Sequence, residues 1–300
     1  MRIYIAFALL VGLSLSACQQ DSKPATLTSA NGYEYVNHTN LEGETPEPGS
    51  FAYFQAYMRN GDSVVYSTRT QEQTPFVQIP AEGAPRMGKP SPVEDVVAEL
   101  AIGDSATVAI NIDTLPRKPR GFENTSEILY DVVLVEVLDA AAHQERMAAL
   151  QAKQQAKADE TKAMLPQVEQ TLNTTLEQYR NGELGDQLQE TASGLKYVIH
   201  EEGTGEQAAA GKNVSVHYYG ALAEDGSKFD TSYERGQPIT FPLGQGQVIP
   251  GWDEGIALLK EGAKATLLIP SDLGYGAQGA PPRIPGGAEL AFYVELVEVQ

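Results

Sequence analysis

The residues best suited to chemistry lie in the last third of the chain, where aromatic rings recur around one carboxylate. They fall in the segments Val216-His217-Tyr218-Tyr219-Gly220, Lys228-Phe229-Asp230-Thr231, Phe241-Pro242-Leu243-Gly244, Val248-Ile249-Pro250-Gly251-Trp252, Tyr275-Gly276, Ile284 and Leu290-Ala291-Phe292. Any one of these rings alone is more typical of core packing. Together they indicate an apolar pocket, in which a few polar groups such as the Asp230 carboxylate orient a bound molecule.

Two other chemistries are excluded by the context of their motifs. Gly274-Tyr275-Gly276-Ala277-Gln278-Gly279 matches the dinucleotide-binding fingerprint, but that motif must open a helix. The segment that follows is rich in proline and glycine, which prevents a helix. The histidines show no metal-ligand spacing with one another or with Cys18. We therefore predict no cofactor and no metal.

In order and spacing, the aromatic segments resemble the FKBP family of peptidyl-prolyl cis-trans isomerases over residues 193–300. The resemblance implies catalytic roles for Tyr218, Phe229, Asp230, Trp252 and Tyr275, and substrate binding by Phe241, Val248, Ile249, Ile284 and Phe292. It places Trp252 at the pocket floor and Ile284 in the final loop.

By the same resemblance, the Ile249 backbone N–H and the Tyr275 hydroxyl bind substrate carbonyls, while Asp230 and Tyr218 hydrogen-bond each other. The chain departs from the best-known members of the family at Ile239, Pro250 and Ala280. We expect those departures to affect substrate preference and drug affinity more than catalysis.

The implied reaction suits such a pocket. Rotation about an X-Pro bond is opposed by amide resonance, with a barrier of about 18 to 20 kcal/mol. No bond is made or broken, so the catalyst needs no nucleophile, metal or proton relay. An apolar pocket favours the twisted amide because it withholds the water that stabilises the polar planar form.

An internal repeat supplies the elements that hold these residues. Gly32-Tyr33-Glu34-Tyr35-Val36 is matched 162 residues later by Gly194-Leu195-Lys196-Tyr197-Val198. Leu134-Val135-Glu136-Val137 recurs at Leu296-Val297-Glu298-Val299 with the same offset. Because both ends of each unit keep this register, the sequence contains two copies of one domain.

Short alternating runs in both copies predict strands, joined by tight turns at Asn60-Gly61 and Asp225-Gly226. The predicted strands cover residues 51–57, 107–112, 129–137, 214–219, 266–269 and 290–299. Within the second copy, only residues 253–259 indicate a short helix. The predicted class is α+β, with an antiparallel sheet wrapped on a short helix in each of two FKBP-like domains.

A long helical linker is predicted between the copies. Residues 139–165 consist largely of Ala, Gln, Lys and Glu, which favour helix, and Pro166 breaks or restarts it. Val168, Leu172, Leu176 and Tyr179 then form an apolar stripe. The first helix has few large apolar groups and is most simply a solvated spacer. A dimerisation helix is the alternative, motivated by Met147, Leu150 and the stripe.

The N-terminus predicts a lipoprotein. Arg2, an apolar stretch and Leu15-Ser16-Ala17-Cys18 are typical of a signal peptide that ends in a bacterial lipobox, with Cys18 as the lipidated residue. Across the whole chain, 21 basic against 40 acidic residues give a net charge of −19, which disfavours nucleic-acid binding.

The first copy lacks the pocket residues. We align Ala56 with Tyr218, Val64 and Val65 with Phe229 and Asp230, and Val93 with Trp252, so only Tyr130 keeps an aromatic ring, opposite Phe292. The loop Asp113 to Arg120 contains no tyrosine. Its cations, Arg117, Lys118 and Arg120, indicate either a solvated loop or a site for an anionic client or glycan. We predict an FKBP-like fold without isomerase activity.

The predicted segments are a signal peptide (1–17), a tether (18–30), a degenerate FKBP-like domain (31–138), the helical linker (139–182) and an isomerase domain (190–300). The predicted function is isomerisation of prolyl bonds in unfolded or folding exported proteins. We expect lipid anchoring to the outer membrane, facing the periplasm, and a homodimer through the linker remains open. The alternative is a non-enzymatic chaperone or assembly lipoprotein that binds prolyl segments.

Overall fold

The computed structural model describes residues 26–71, 73–84, 88–113 and 115–300. The predicted signal peptide, Cys18 and most of the predicted tether lie outside these ranges. The chain divides after Ala148 into two compact units. Each unit has its own hydrophobic core.

The first unit is built on one antiparallel sheet. Its described strands are β1 (Thr26–Thr28), β2 (Glu34–Asn37), β3 (Phe51–Asn60), β4 (Ser63–Ser67), β5 (Phe76–Gln78), β6 (Ser105–Asn111) and β7 (Glu127–Leu138). The order across the sheet is β1-β2-β6-β7-β3-β4, and β5 also pairs with β3. The predicted tether is therefore wrong at its C-terminal end, because Leu27 lies opposite Tyr35 and the backbone of β1 is bonded into the sheet.

The second unit repeats this topology. Its described strands are β8 (Gln189–Glu190), β9 (Lys196–Glu201), β10 (Asn213–Leu222), β11 (Lys228–Thr231), β12 (Ile239–Pro242), β13 (Lys264–Ile269) and β14 (Leu290–Val299). The sheet order is β11-β10-β14-β13-β9-β8, and β12 also pairs with β10. The shared strand order confirms the predicted α+β class with two FKBP-like domains.

Each unit packs a short helix against its sheet. In the first unit, α1 (Pro92–Val97) begins at a capping box in which Ser91 and Glu94 bond each other's backbone N–H groups. A short helix was expected in each domain, but the sequence did not locate α1, because it has only six residues. A longer helix in the second unit, Pro250–Ala257, starts before the predicted Asp253 because proline suits the first helical turn.

Two further helices, Ala140–Ala163 and Leu165–Asn181, form the helical segment between the sheets. In chain order these are α2 and α3, so the Pro250–Ala257 helix is α4. The side chains of α2 are mostly exposed. The apolar stripe of α3 is buried against residues such as Tyr219 and Tyr293 of the second sheet. That stripe is therefore used within the chain, and it no longer argues for dimerisation.

The predicted hairpin turns are present. Gly61 has φ +58° between β3 and β4, and Gly226 has φ +80° between β10 and β11. Glycine adopts these positive angles without the clash that a side chain would cause. Within the described ranges, no helix is both long and apolar enough to cross a bilayer.

Candidate active site

An open cavity of about 400 Å³ lies on one face of the second sheet. Its lining residues come from β10, β11, β12, β14, α4 and the loops around them, and comprise Tyr218, Phe229, Asp230, Ile239, Gln247, Val248, Ile249, Trp252, Tyr275 and Phe292. We call this cavity the aromatic pocket. It brings together eight of the ten site residues predicted from the sequence in this domain.

Trp252 is the centre of the aromatic packing. Its ring meets those of Tyr218 and Phe292 edge to face, at centroid distances of 5.1 and 5.2 Å. Phe229 packs edge to face on Phe292 at 5.3 Å. Such arrangements are favoured by ring quadrupoles and fix each ring relative to its neighbours. The Trp252 indole N–H is buried and has no hydrogen-bond partner among the described residues, so it remains a donor at the pocket floor.

Space for these rings depends on Gly220 in β10. A Cβ atom at this position would lie 2.6 Å from the Phe229 ring and 2.7 Å from the Phe292 ring. Carbon atoms in contact normally stay about 3.5 to 4.0 Å apart. Any side chain at Gly220 would therefore push apart two walls of the pocket.

The one carboxylate in the pocket is held in a polar network. The Tyr218 hydroxyl donates to Asp230, and Arg235 donates to the Tyr218 oxygen at 2.7 Å and to Asp230 at 3.0 Å. Burial raises the pKa of Asp230, but the hydrogen bonds from Tyr218 and Arg235 outweigh it and leave that pKa below its ordinary value. Burial, assisted by the bond to Asp230, raises the pKa of Tyr218 to about 12. Asp230 is therefore a charged wall group and Tyr218 a neutral one across the physiological range.

The loop that carries Tyr275 and Ile284 is fastened to the strand that carries Phe229. Arg283 donates to the Phe229 carbonyl at 2.7 Å. This bond caps a backbone acceptor on β11, the edge strand of the sheet. Tyr275 itself is 41% exposed, so its hydroxyl is accessible to a molecule entering the pocket.

Ile249 caps the N-terminus of α4, so its N–H lies outside the hydrogen bonds of that helix. Donation from this N–H to a bound carbonyl, which the resemblance implies, stays a prediction.

Two predicted site residues do not line the aromatic pocket. Phe241 and Ile284 are each 5% exposed and belong to the surrounding core. The Phe241 ring lies 5.9 Å from the Trp252 ring and packs against it.

Sequence reasoning missed Arg235, Arg283, Gln247 and Gly220. Arg283 acts through a partner 54 residues away, and a backbone carbonyl as acceptor leaves no trace in side-chain types. Arg235 lies only five residues after its partner Asp230, but the resemblance gave that arginine no role. Gly220 could have been found, because a glycine within the long alternating run of β10 signals a close approach. Among the described residues, no cluster of His, Cys, Asp and Glu could hold a metal ion.

Comparison with known proteins agrees with this geometry. The profile described as "FKBP-type peptidyl-prolyl cis-trans isomerase" matches residues 204–297. The "FK506-binding protein" of Neisseria meningitidis serogroup A is 56% identical over 99 residues, which are 33% of this chain and 90% of that protein. The chain belongs to the FKBP family of peptidyl-prolyl cis-trans isomerases. It is an isomerase that acts on proline-containing polypeptides.

Other relatives match the same region. The mouse "Peptidyl-prolyl cis-trans isomerase FKBP2" is 54% identical over 90 residues, covering 30% of this chain and 64% of that protein. Among solved structures, AtFKBP13 aligns with 38% identity and a TM-score of 0.36, over 38% of this chain and 98% of that one. FkpA from Escherichia coli aligns with 34% identity and a TM-score of 0.38, over 54% and 74% respectively.

The first FKBP-like unit fills the corresponding space with its own side chains. Met58 stands opposite Tyr130, in the place that Gly220 occupies opposite Phe292. Met58 and Tyr130 pack around Phe122, which is fully buried together with Ile112 and Ile128. Phe122 comes from the loop before β7, the counterpart of the loop that carries Tyr275. Side chains of the unit itself therefore pack at the position that corresponds to the aromatic pocket.

The structure also corrects the alignment of β4 with β11. The hydroxyl of Thr68 accepts from the Ala56 N–H at 2.9 Å, as that of Ser232 accepts from the Tyr218 N–H at 2.8 Å. Counting back from these equivalent hydroxyls aligns Val65 with Phe229 and Tyr66 with Asp230. Our assignment of Val64 and Val65 was therefore wrong by one residue, because side-chain type alone could not fix the register.

Proposed function

We propose that the chain isomerises X-Pro bonds of exported envelope proteins by enclosing the prolyl ring in the aromatic pocket. The observation that carries this proposal is an open cavity of about 400 Å³ walled by rings, in which the only lining carboxylate already accepts hydrogen bonds from Tyr218 and Arg235. Such a site has no proton to transfer and no nucleophile to activate. It suits a reaction that only requires a change in solvation and orientation.

The proposed mechanism follows from amide physics. The planar X-Pro amide is polar and well hydrated, and rotation removes its conjugation. The edge-to-face rings around Trp252 exclude water from the prolyl side of the bond. The Ile249 N–H and the Tyr275 hydroxyl hold the flanking carbonyls, so rotation proceeds about one bond. Each 1.4 kcal/mol of barrier removed in this way accelerates rotation about tenfold.

The catalytic assignment is tested with Trp252→Ala and Asp230→Val in the full chain. We expect both variants to keep their circular dichroism spectra and to lose most prolyl isomerase activity on a short peptide. Lys212→Ala is the matched control, because this half-buried residue pairs with Glu206 and does not line the pocket. Full activity in both pocket variants would refute the assignment.

The rival proposal is a chaperone or assembly role in which binding rather than isomerisation matters. The filled site of the first unit favours an added holding role, because that unit keeps its fold without keeping a pocket. A proline-limited refolding assay and an aggregation-suppression assay separate the two roles. If Trp252→Ala slows refolding but leaves suppression of aggregation intact, both roles exist; if neither assay responds, the enzymatic role in folding is wrong.

The proposed location is the outer membrane, facing the periplasm, through lipid on Cys18. The lipobox Leu15-Ser16-Ala17-Cys18 supports this proposal, and Gln19 fits outer-membrane sorting. Metabolic labelling with radioactive palmitate should mark the wild-type chain in the membrane fraction and should not mark Cys18→Ser. A soluble, unlabelled wild type would contradict the proposal.

A homodimer through α2 is proposed only on the remaining apolar side chains Met147 and Leu150. Met147 is 37% exposed, whereas the α3 stripe is buried within the chain. Sedimentation equilibrium should then give twice the mass of one chain, and Met147→Lys should halve it. A mass equal to one chain for the wild type would leave α2 as a solvated spacer.

A further inference from the structure

The edge strand β4 of the first unit is exposed and apolar, in contrast to its counterpart in the second unit. Val64, Val65 and Tyr66 are 55%, 43% and 46% exposed. In the sheet order, β4 is terminal, and no described strand pairs with its outer side. A terminal strand of this kind presents unpaired backbone groups, and proteins usually blunt such an edge with charges.

The second unit does blunt the same edge. At the positions of Val64 and Tyr66, β11 carries the charged residues Lys228 and Asp230. Phe229, the counterpart of Val65, is only 6% exposed, and Arg283 caps its carbonyl. The two edges share one topology, so the fold itself does not require an apolar β4. The first unit therefore has an exposed apolar edge strand where the second unit has one that is charged and capped.

A positively charged loop lies beside this strand. The basic loop, Arg117 to Arg120, borders a concavity of about 660 Å³ lined by Arg117, Lys118, Pro119, Arg120 and Glu123. The adjoining Gly121 lies against Val65, since a Cβ on that glycine would be 3.4 Å from the valine side chain. The carbonyl of Gly121 also accepts from Asn60 at 2.8 Å, at the end of β3.

The basic loop keeps a positive charge after its internal partners are counted. Lys118 pairs with Asp113 at 2.9 Å, and Arg120 attracts Glu123. Arg117 has no ion-pair partner among the described residues. This is a local exception in a chain of net charge −19, which makes it a marker for a negatively charged partner.

We propose that the β4 edge, Ser63–Ser67, together with the basic loop binds an extended polypeptide segment that has alternating apolar side chains and an acidic end. Backbone hydrogen bonds to β4 hold the segment as an added strand, and Val64, Val65 and Tyr66 contact its apolar side chains. The basic loop receives its carboxylates. A second copy of this chain fits less well, because the β4 sequence Ser-Val-Val-Tyr-Ser offers no carboxylate to that loop.

This inference goes beyond the isomerase function and does not depend on the aromatic pocket. The experiment therefore uses proline-free peptides and the full chain, with fluorescence anisotropy as the readout. One labelled peptide alternates Val and Thr and ends in three glutamates; a matched peptide ends in three lysines. A third peptide has the acidic sequence with alternate backbone nitrogens methylated, which removes the donors that strand pairing needs.

We expect the acidic peptide to bind at least about tenfold more tightly than the lysine peptide in low salt, and the gap to narrow in high salt. Methylation should weaken binding by at least about tenfold. The double variant Val64→Lys with Tyr66→Asp, which restores the charge pattern of β11, should do the same. Arg117→Ser with Arg120→Ser should abolish the preference for the acidic peptide over the lysine peptide.

Val135→Lys is the matched control and should bind as the wild type does. Val135 is 44% exposed, but it lies on β7, an interior strand of the same sheet. Prolyl isomerase activity on a short peptide should be unchanged in every variant. A failure of the proposed β4 binding site can therefore be told apart from a failure of the pocket assignment. Equal binding of the acidic and lysine peptides would overturn the proposal, as would unaltered binding by the double variant. A chain dimer that the double variant dissociates would identify a second copy as the occupant and would also overturn it.

Discussion

Gly220→Ala tests whether the pocket depends on an absent side chain. The added Cβ would stand 2.6 Å from Phe229 and 2.7 Å from Phe292. Because carbon contacts settle at about 3.5 to 4.0 Å, each ring must move by about 1 Å. Gly220 does not adopt a left-handed backbone conformation, so alanine adds bulk without backbone strain.

The expected loss has two parts. Overpacking should lower the free energy of unfolding by about 1 to 3 kcal/mol. Displacement of the pocket walls by about 1 Å should lower kcat/KM by about 10- to 100-fold, because positioned groups lose that much when they shift so far. Urea denaturation measures the first part, and isomerisation of a prolyl peptide well below the unfolding temperature measures the second.

Gly255→Ala provides the matched control for overpacking. Its Cβ would lie 2.7 Å from the Leu267 side chain, a clash of similar size that does not involve a residue lining the pocket. We expect a comparable loss of stability but a change in kcat/KM of less than about threefold. Full activity in Gly220→Ala, or an equal loss in Gly255→Ala, would refute the reasoning.

Three further predictions concern single groups. The value of kcat/KM should stay constant from about pH 5 to 9, because the lowered pKa of Asp230 and the Tyr218 pKa of about 12 lie outside that range. A pH–rate profile with a midpoint inside that range would contradict the hydrogen-bond network of Asp230, Tyr218 and Arg235. Burial lowers the pKa of His217 to about 4, so the contribution of this residue to stability is complete above its usual pKa of about 6.5 and is lost as pH falls towards about 4. The urea midpoint should therefore drop over that pH interval, and it should drop less in His217→Asn. Arg283→Ala should raise KM several-fold and lower the free energy of unfolding by about 1 kcal/mol, because it removes the donor to the Phe229 carbonyl, and Arg283→Lys should restore part of both. An unchanged KM would show that the hydrogen bond from Arg283 does not position the loop.

Much of the fold could be predicted from the sequence because its long strands show alternating patterns that recur in both copies. The alternating runs predicted six strands within a few residues, since one face of each sheet is buried: β3, β6, β7, β10, β13 and β14. The elements that were missed are short. β1 has three residues and α1 has six, too few for a periodic pattern, and they form because the neighbouring sheet supplies their partners.

The site could be predicted only in part, because residue types and their order do not fix which groups contact each other. Ring types and their order identify residues such as Trp252, and the resemblance supplied their roles. The order does not say whether a ring lines the cavity or only packs against a ring that does, as Phe241 packs against Trp252. It also cannot reveal bonds to backbone atoms, such as that from Arg283.

The two units together separate what the fold needs from what the pocket needs. Both units keep the same strand order and a buried core, so the fold tolerates Met58 where the second unit has Gly220. The pocket does not tolerate it, because Met58 occupies space that the rings at Phe229 and Phe292 would use. We therefore expect catalytic competence in this fold to depend on a few positions that keep a volume empty, and we predict that the first unit has no isomerase activity although it keeps its fold. Replacing Gly220 by methionine in the second unit should accordingly abolish isomerase activity and leave a folded, cooperative domain.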